Sequence, residues 1–550
     1  MQTTDGSGNT DDTAGTLPVL VVGGGLVGLA STLFLAHHDV PALLVDRHPG
    51  VSIQGRARGI NQRTMEIYRA FGVDAEIYEA GKPFDDEAGV ARCTAISGEW
   101  EWVFEDEAPR AWPDLTAASY CMADQSSVEP ILIEAAANRG AVHLFDTEVL
   151  SVQQDGDGVN ALVENTKTGQ QRTIRARYLI AADGHRSPIR ESLGINRPGA
   201  TIFQHSMNIV FRADLSPYIQ RRALFWIILN PQAGIFGGMV STSEPHRWQL
   251  TVGYDPQHQS IEDFTTEHCL GLVRAAIGVP DLAAEVEDIA AWEQGVGVAQ
   301  KFRSDRIFLA GDSAHMWPPA AAMGANTGVQ DAHNLAWKLA GVVRGWAKDA
   351  LLDSYEAERR PLANELAPRI VANQQARMGG GDAEGETKPD DKVWALGHRY
   401  RSSAVLGTDL SMGQHDTVFG EKLDLHGQPG TRAPHLWLEF GGARIGLHDL
   451  CTDSFVLLTG RDGAPWYGAA APVSDTLAVP LKAYRVGAQG EGVDLVDVED
   501  EWQTRYGLGT GGAVLIRPDG YVAWRDERTV SDPAVTLTTV LRKVLGFDVS

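Results

Sequence analysis

Residues 17–46 limit the fold more than any other part of the chain. Leu17–Val22 is an unbroken aliphatic run, Gly23-Gly24-Gly25-Leu26-Val27-Gly28 follows, Leu26–His37 carries apolar residues at helical spacing, and Ala42–Val45 is a second short apolar run. Strands that are apolar without alternation are buried on both faces, as in a parallel sheet. The segment therefore reads strand, glycine turn, helix, strand. In this G-x-G-x-x-G, Gly23 permits the tight turn, Gly25 lets the backbone approach a pyrophosphate, and Gly28 allows close helix–strand packing. Leu26 and Val27 complete the turn, and the helix N-terminus directs free amides at phosphate charge. Asp46, eighteen residues beyond Gly28, ends the second strand where a carboxylate accepts a ribose hydroxyl, and Arg47 follows it. The unit predicts dinucleotide binding without choosing the dinucleotide, and no second such motif stands between a strand and a helix.

The same stretch imitates a membrane span, since Leu17–Ala36 is apolar and about long enough. The segment before it, MQTTDGSGNTDDTAG, is polar and acidic, and the first basic residue after it is Arg47. The positive flank of a signal peptide or anchor is missing. The expectation is a soluble, cytoplasmic protein.

At 550 residues the chain exceeds a single core, and roughly 150 residues per domain gives three or four. Its 72 Asp+Glu against 47 Lys+Arg leave a net charge of −25. Such a surface disfavours nucleic acid and anionic membranes, while leaving a pocket free to take an aromatic or a small anion. The four cysteines lie far apart with no C-x-x-C, which suits a reduced compartment. The histidines lack companion ligands at metal spacing, so no metal site is expected. Residues 1–16 read as a disordered polar tail, and Met378–Asp391 as a linker or mobile segment.

Two further segments pair a strand with an acidic turn. Tyr178–Arg190 (YLIAADGHRSPIR) runs an apolar strand into Asp183-Gly184; Arg306–His315 (RIFLAGDSAH) runs another into Gly311-Asp312. The second leads through Trp317-Pro318-Pro319 to Gly324-Ala325-Asn326-Thr327-Gly328, which opens a helix near Gly328–Trp346. Each alone is an ordinary strand exit. The three motifs in this order resemble the aromatic-ring flavin monooxygenases of the para-hydroxybenzoate hydroxylase fold, over nearly the whole chain. The resemblance implies FAD, with Asp183 at a nucleotide-facing turn and Gly311-Asp312 at the ribityl chain. It also implies an Arg at the pyrophosphate, Arg56 with Arg58 as the competing choice. Gln125 falls at the flavin and Val149 at the adenine. Gly324 is also implied at the cofactor, and the amides of Ala325 and Asn326, at a helix start, are expected to stabilise negative charge on the flavin's pyrimidine edge. Many relatives have two glycines where this chain has Ala321-Ala322, so the methyl groups are expected to narrow the cavity or restrict flavin swinging. Trp100-Glu101-Trp102 lacks the Ile-Pro that would complete a flavin-halogenase signature.

The implied fold is α/β, with three parts. Residues 17–200 and 301–400 form a discontinuous Rossmann-type FAD-binding domain. Residues 201–300, with part of 90–120, form an antiparallel substrate-binding sheet with an amphipathic helix at Ile261–Ile277. Residues 410–550 resemble the thioredoxin-like domain of polyketide-tailoring hydroxylases, here without C-x-x-C. The implied activity is NAD(P)H- and FAD-dependent hydroxylation of a phenolic, polycyclic polyketide by O2 through a flavin C4a-hydroperoxide, in a monomer or homodimer. Baeyer–Villiger-type oxygenation, a flavin oxidase, and a non-catalytic flavin-binding protein stand as alternatives. Phenol activation needs an acceptor near the ring hydroxyl, and the resemblance implies that the backbone carbonyl of Pro319 lies there, which makes it the catalytic candidate. Trp226, Phe236 and Met239 are the substrate candidates.

Overall fold

The structure, a computed structural model, describes residues 16–547 apart from 55–56, 88, 105–110, 220, 320–321, 378–389, 408–416 and 491. Arg56, Ala321, nearly all of the expected tail and most of the expected linker lie outside the described residues.

The first sheet grows from the opening unit. Strand Leu17–Val22, helix Leu26–His37 and strand Ala42–Val45 have the boundaries read from the sequence. Leu17–Val22 lies centrally, parallel to Ala42–Val45 on one side and to Gln171–Ala181 on the other, with Ile307–Leu309 beyond. Consequently the three glycine- and aspartate-bearing turns leave the same edge of one parallel sheet. Ligands of parallel sheets bind in the crevice outside those carboxyl ends. Gly23 adopts φ +110°, and a Cβ there would lie 2.2 Å from the Ala182 carbonyl oxygen. At Gly28 a Cβ would lie 1.8 Å from the Gly23 carbonyl oxygen, so strand and helix touch backbone to backbone.

The second sheet runs His315–Met316, Glu285–Val298, Thr201–Arg212, Arg247–Tyr254, Ile235–Ser241, Phe225–Asn230, Val90–Cys93, Trp100–Phe104. It is antiparallel except where Val90–Cys93 pairs parallel with Phe225–Asn230. Apolar residues on one face, among them Trp226, Met239 and Leu250, close a core with helix Thr266–Ile277. That helix is shorter than expected. Ile261–Asp263 is a separate single turn, and the Thr265 hydroxyl caps the helix by accepting from the His268 amide. The helix expected near Gly328 starts earlier, at Met323, and stops at Arg344 against Gly345, whose φ of +85° provides a left-handed cap.

The third sheet has seven strands and sits in the C-terminal part. Phe455–Gly460, helix Ala464–Leu477 and parallel strand Leu481–Gly487 form one half; antiparallel Ala513–Ile516 and Val522–Asp526 lead to helix Pro533–Val544. Buried charges fasten this unit to the first. The Glu66 carboxylate accepts from Arg63 at 2.5 Å, from Thr116 at 2.8 Å and from Arg432 Nε at 3.0 Å. Glu358 accepts from Arg517 at 2.6 Å and Lys338 at 2.8 Å. Among the described residues no helix is long and apolar enough to cross a membrane, and no cluster of metal-ligating side chains is present.

Candidate FAD and substrate site

One cavity of about 3740 Å³ runs from the glycine turn to the second sheet. A pocket for a single drug-sized ligand measures roughly 300–1,000 Å³, so this space suits a dinucleotide together with a polycyclic substrate. Two helices open onto it with bare N-termini. Helix Leu26–His37 begins at Gly25 and helix Met323–Arg344 at Ala322; neither has a side-chain cap or an acidic residue in its first turn. Their first amides therefore lack intrahelical acceptors and point positive dipole ends at the cavity.

Around the first helix, Gly23, Gly25, Leu26 and Val27 line the cavity. At Gly25 a Cβ would meet nothing closer than the Gln125 amide nitrogen at 3.9 Å, so this glycine faces open space. Gly28 and Gly311 do not line the cavity. Gly311, at φ +62°, lets the Val27 side chain pack 2.8 Å from where its Cβ would stand. Asp46 lines the cavity with part of its carboxylate already engaged. One oxygen accepts from the Gly24 amide at 2.6 Å and the other from the His48 amide at 2.7 Å, bracing the turn. Arg47 is exposed at the rim, and Val149 lines the wall. Gln125 donates to Glu129 at 2.6 Å, and Glu129 in turn accepts from the Ser52 amide at 2.7 Å.

Asp183 also faces the cavity while accepting from the Ser187 hydroxyl and the Ile189 amide. Burial pushes its carboxyl above the usual range, against those two bonds. Asp312 projects into the cavity from an exposed position, and Arg197 donates to its backbone carbonyl and to that of Ser313. The Gly311 amide is held by Asp331, a fully buried carboxylate that also meets His315 Nε2 at 2.7 Å and Arg359 Nε at 2.6 Å.

At the second helix, Gly324 and Ala325 supply first-turn amides. Asn326 is the fourth helical residue, so its amide falls to the Ala322 carbonyl by helix geometry rather than to the cavity. Its side chain clamps the site from behind: it accepts from the Asn61 amide at 3.0 Å and donates to the carbonyls of Gly59 at 2.9 Å and Ala322 at 2.6 Å. Ala322 itself sits at φ +52°, a conformation that favours glycine. Pro319 lines the cavity, and its carbonyl accepts from the Ala322 amide at 3.2 Å, a bond that uses one of the oxygen's two lone pairs. Arg58 is committed to the wall, donating to Glu87 at 2.6 Å and to the Leu224 carbonyl at 3.2 Å.

Two substrate candidates are on the wrong face. Trp226 and Met239 pair directly in register, and both are fully buried in the core beneath helix Thr266–Ile277. Alternation places their neighbours Phe225, Ile227 and Val240 on the cavity face, as it places Phe236, whose side chain is 54% exposed. The sequence reading also passed over Gln54, Asn208, Gln249 and Asp288, polar groups on the cavity wall. The four cysteines are all buried and none is in a disulfide, and burial pushes the Cys451 thiol up to about 12.

Known proteins resolve which dinucleotide the cavity takes. The family pattern described as FAD binding domain matches residues 16–369, and that described as aromatic-ring hydroxylase, C-terminal, matches residues 426–547. The chain belongs to the FAD-binding aromatic-ring hydroxylases. It is 41% identical to tetracenomycin B2 monooxygenase-dioxygenase of Streptomyces olivaceus, over 96% of this chain and 99% of that one. It is 40% identical to the aklavinone 12-hydroxylase RdmE of Streptomyces purpurascens, over 96% and 98%. The crystal structure of an aklavinone-11 hydroxylase with FAD and aklavinone superposes with a TM-score of 0.86 at 39% identity, covering 96% of this chain and 99% of that one. The protein is thus an FAD-dependent hydroxylase. The uncapped amides at Gly25, the open space before it and the second bare helix end fit the pyrophosphate and the flavin of that cofactor.

Proposed function

We propose that this hydroxylase uses NAD(P)H and O2 to hydroxylate a phenolic, polycyclic aromatic of polyketide type. The observation that carries the reading is the continuity of one cavity from the turns assigned to FAD to a sheet face that offers it both aromatic and polar side chains. Relatives named for tetracenomycin and aklavinone support the substrate class.

Bound FAD supplies the redox chemistry, accepting hydride from NAD(P)H and activating oxygen for transfer to the ring. The protein's share is positioning, charge and dryness. Leu26 and Val27 amides hold the pyrophosphate, with Asp46 keeping the turn in shape and Asp312 receiving the ribityl hydroxyls. The Gly324 and Ala325 amides favour negative charge on the flavin edge. Phe225, Phe236 and Val240 keep water from the reacting ring, which limits wasteful peroxide release. The other lone pair of the Pro319 carbonyl accepts the substrate hydroxyl. We assign residues 17–200 and 301–400 to FAD, and 201–300 with strands from 90–104 to substrate. The C-terminal unit we take as thioredoxin-like. Its β-α-β half, β-β-α half and central strand order support this, and it has no C-x-x-C for disulfide exchange.

The deciding measurement is stoichiometry with a polyphenolic polyketide: one NAD(P)H consumed per labelled oxygen atom incorporated from O2. NAD(P)H consumption that yields only hydrogen peroxide across a panel of such phenols would refute the hydroxylase reading in favour of an oxidase.

A further inference from the structure

The polar groups on the cavity face of the second sheet form a chain of hydrogen bonds with a single direction. The Trp292 indole donates to Asn208 Oδ1 at 2.8 Å, and the Thr251 hydroxyl donates to the same oxygen at 2.7 Å. Asn208 Nδ2 donates to Gln54 Oε1 at 3.3 Å, and Gln54 Nε2 donates to Asp288 Oδ2 at 2.5 Å. Neither amide is free to flip. An indole N–H can only donate, so it fixes the oxygen of Asn208; a carboxylate can only accept, so it fixes the nitrogen of Gln54. Every donor in the chain is directed toward Asp288, which lines the cavity and takes the Gln54 donor on Oδ2.

A second, independent acceptor lies in the same row of the sheet. Gln249 and Asp288 both stand opposite Val210, one on each flanking strand. Gln249 is only 6% exposed, lines the cavity, and its Oε1 has no hydrogen-bond partner among the described residues. A buried acceptor left unpaired is costly, and a hydroxyl donor arriving in the cavity would remove that cost.

We infer that Asp288, aligned by Gln54 and Asn208, is with Gln249 a specificity-determining acceptor pair that selects substrates presenting free phenolic hydroxyls to this face of the cavity. The inference rests on the hydroxylase reading above and adds the substrate feature that is recognised.

The test uses the FAD-loaded enzyme and two probes, 2,6-dihydroxyanthraquinone and its dimethyl ether, with binding read from perturbation of the flavin absorbance. The wild type is expected to bind the diol at least tenfold more tightly than the ether. In Asp288→Asn the Gln54 donor holds the new carbonyl oxygen, so the amide NH2 turns to the cavity and an acceptor becomes a donor. The diol-to-ether ratio should then fall at least tenfold, while the flavin spectrum of the ligand-free enzyme stays as in the wild type. Gln249→Leu, which removes the buried amide together with its Oε1 acceptor, should lower the ratio in the same direction and serves if Asp288→Asn does not fold. A ratio unchanged in the variants overturns the inference and leaves the hydroxylase reading intact. A wild type that binds neither probe, and oxidises no NAD(P)H with any phenol, overturns both.

Discussion

Gly28 and Gly25 of the opening turn have separable duties, and alanine at each should report a different one. At Gly28 an added Cβ would stand 1.8 Å from the Gly23 carbonyl oxygen, where no contact below 3.0 Å is tolerated. Backbone must therefore move by at least 1.2 Å (3.0 − 1.8) in a turn whose other side is pinned by the Gly23 amide on Val45. Overpacking of this kind costs about 1–3 kcal/mol. Gly25 is the opposite case: its Cβ would have no neighbour nearer than 3.9 Å and φ is −79°. Exchange of glycine for alanine at this N-cap costs the apoprotein about 1 kcal/mol or less. The methyl group would, however, occupy the path of the pyrophosphate and remove at least one charge-assisted hydrogen bond. At about 1.5–3 kcal/mol each, that loss weakens FAD binding by about 10- to 150-fold. The assay compares denaturant unfolding of the apoproteins with FAD titrations followed by flavin fluorescence. Gly28→Ala should lose apoprotein stability first, and Gly25→Ala should lose FAD affinity with little change in stability. A Gly25→Ala protein that binds FAD as tightly as the wild type would refute the assignment of this turn to the pyrophosphate.

Acid stability should fail early. Burial drives five histidines down, His38 and His435 to about 3 and His333, His398 and His448 well below their ordinary value. The unfolded chain then binds more protons below pH 6.5, so each histidine removes about 1 kcal/mol between pH 6.5 and 5.5; an unfolding free energy flat across that interval contradicts this. Arg432→Ala should strip the buried Glu66 of its strongest partner and cost about 3–5 kcal/mol, read as a shift in denaturant midpoint, and a neutral result would mean that the C-terminal unit is not fastened there. Ala322→Gly should relieve about 1 kcal/mol of left-handed strain and return about 0.4–1 kcal/mol through the freer unfolded chain. Stability should thus hardly move, while the ratio of hydroxylated product to hydrogen peroxide changes as the cavity widens; an unchanged ratio would leave Ala322 as packing alone.

Legibility in the sequence followed the range of the forces involved. The opening βαβ unit was readable to the residue because each feature is local: aliphatic strands buried on both faces, glycines where backbone meets backbone, and an aspartate ending the second strand. The three turns meet at one cavity for a similar reason, since parallel strands place all their carboxyl ends on one edge. The second sheet resisted. In ALFWIIL both faces are apolar, and only helix Thr266–Ile277, packed on one side, decides that Trp226 is core and Phe225 is wall. A clue to the face was present in Gly238, where a Cβ would stand 2.1 Å from the Phe225 ring, but it needs the strand register to be seen. Gln54 and Asp288 were missed because their bond joins residues 234 apart, and nothing near either announces the other.

The same long-range reasoning gives the C-terminal unit a place in the design. Its Arg432 grips Glu66, on the helix that begins immediately after Asn61, and Asn61 bonds to Asn326 behind the flavin site. Its Arg517 and Asp519 enclose Glu358, Asn334 and Lys338, so they hold the far side of helix Met323–Arg344, whose N-terminus faces the cavity. Burial pulls the Lys338 ammonium down to about 8, with Glu358 opposing the shift. Next to Glu358, Arg359 reaches Asp331, which carries the Gly311 amide. Hydrophobic contact alone would tolerate a small slide between the units. Paired buried charges do not, because each partner displaced is left desolvated and alone. The C-terminal unit therefore fixes, through ion pairs, the two elements on which the proposed flavin end of the cavity is built.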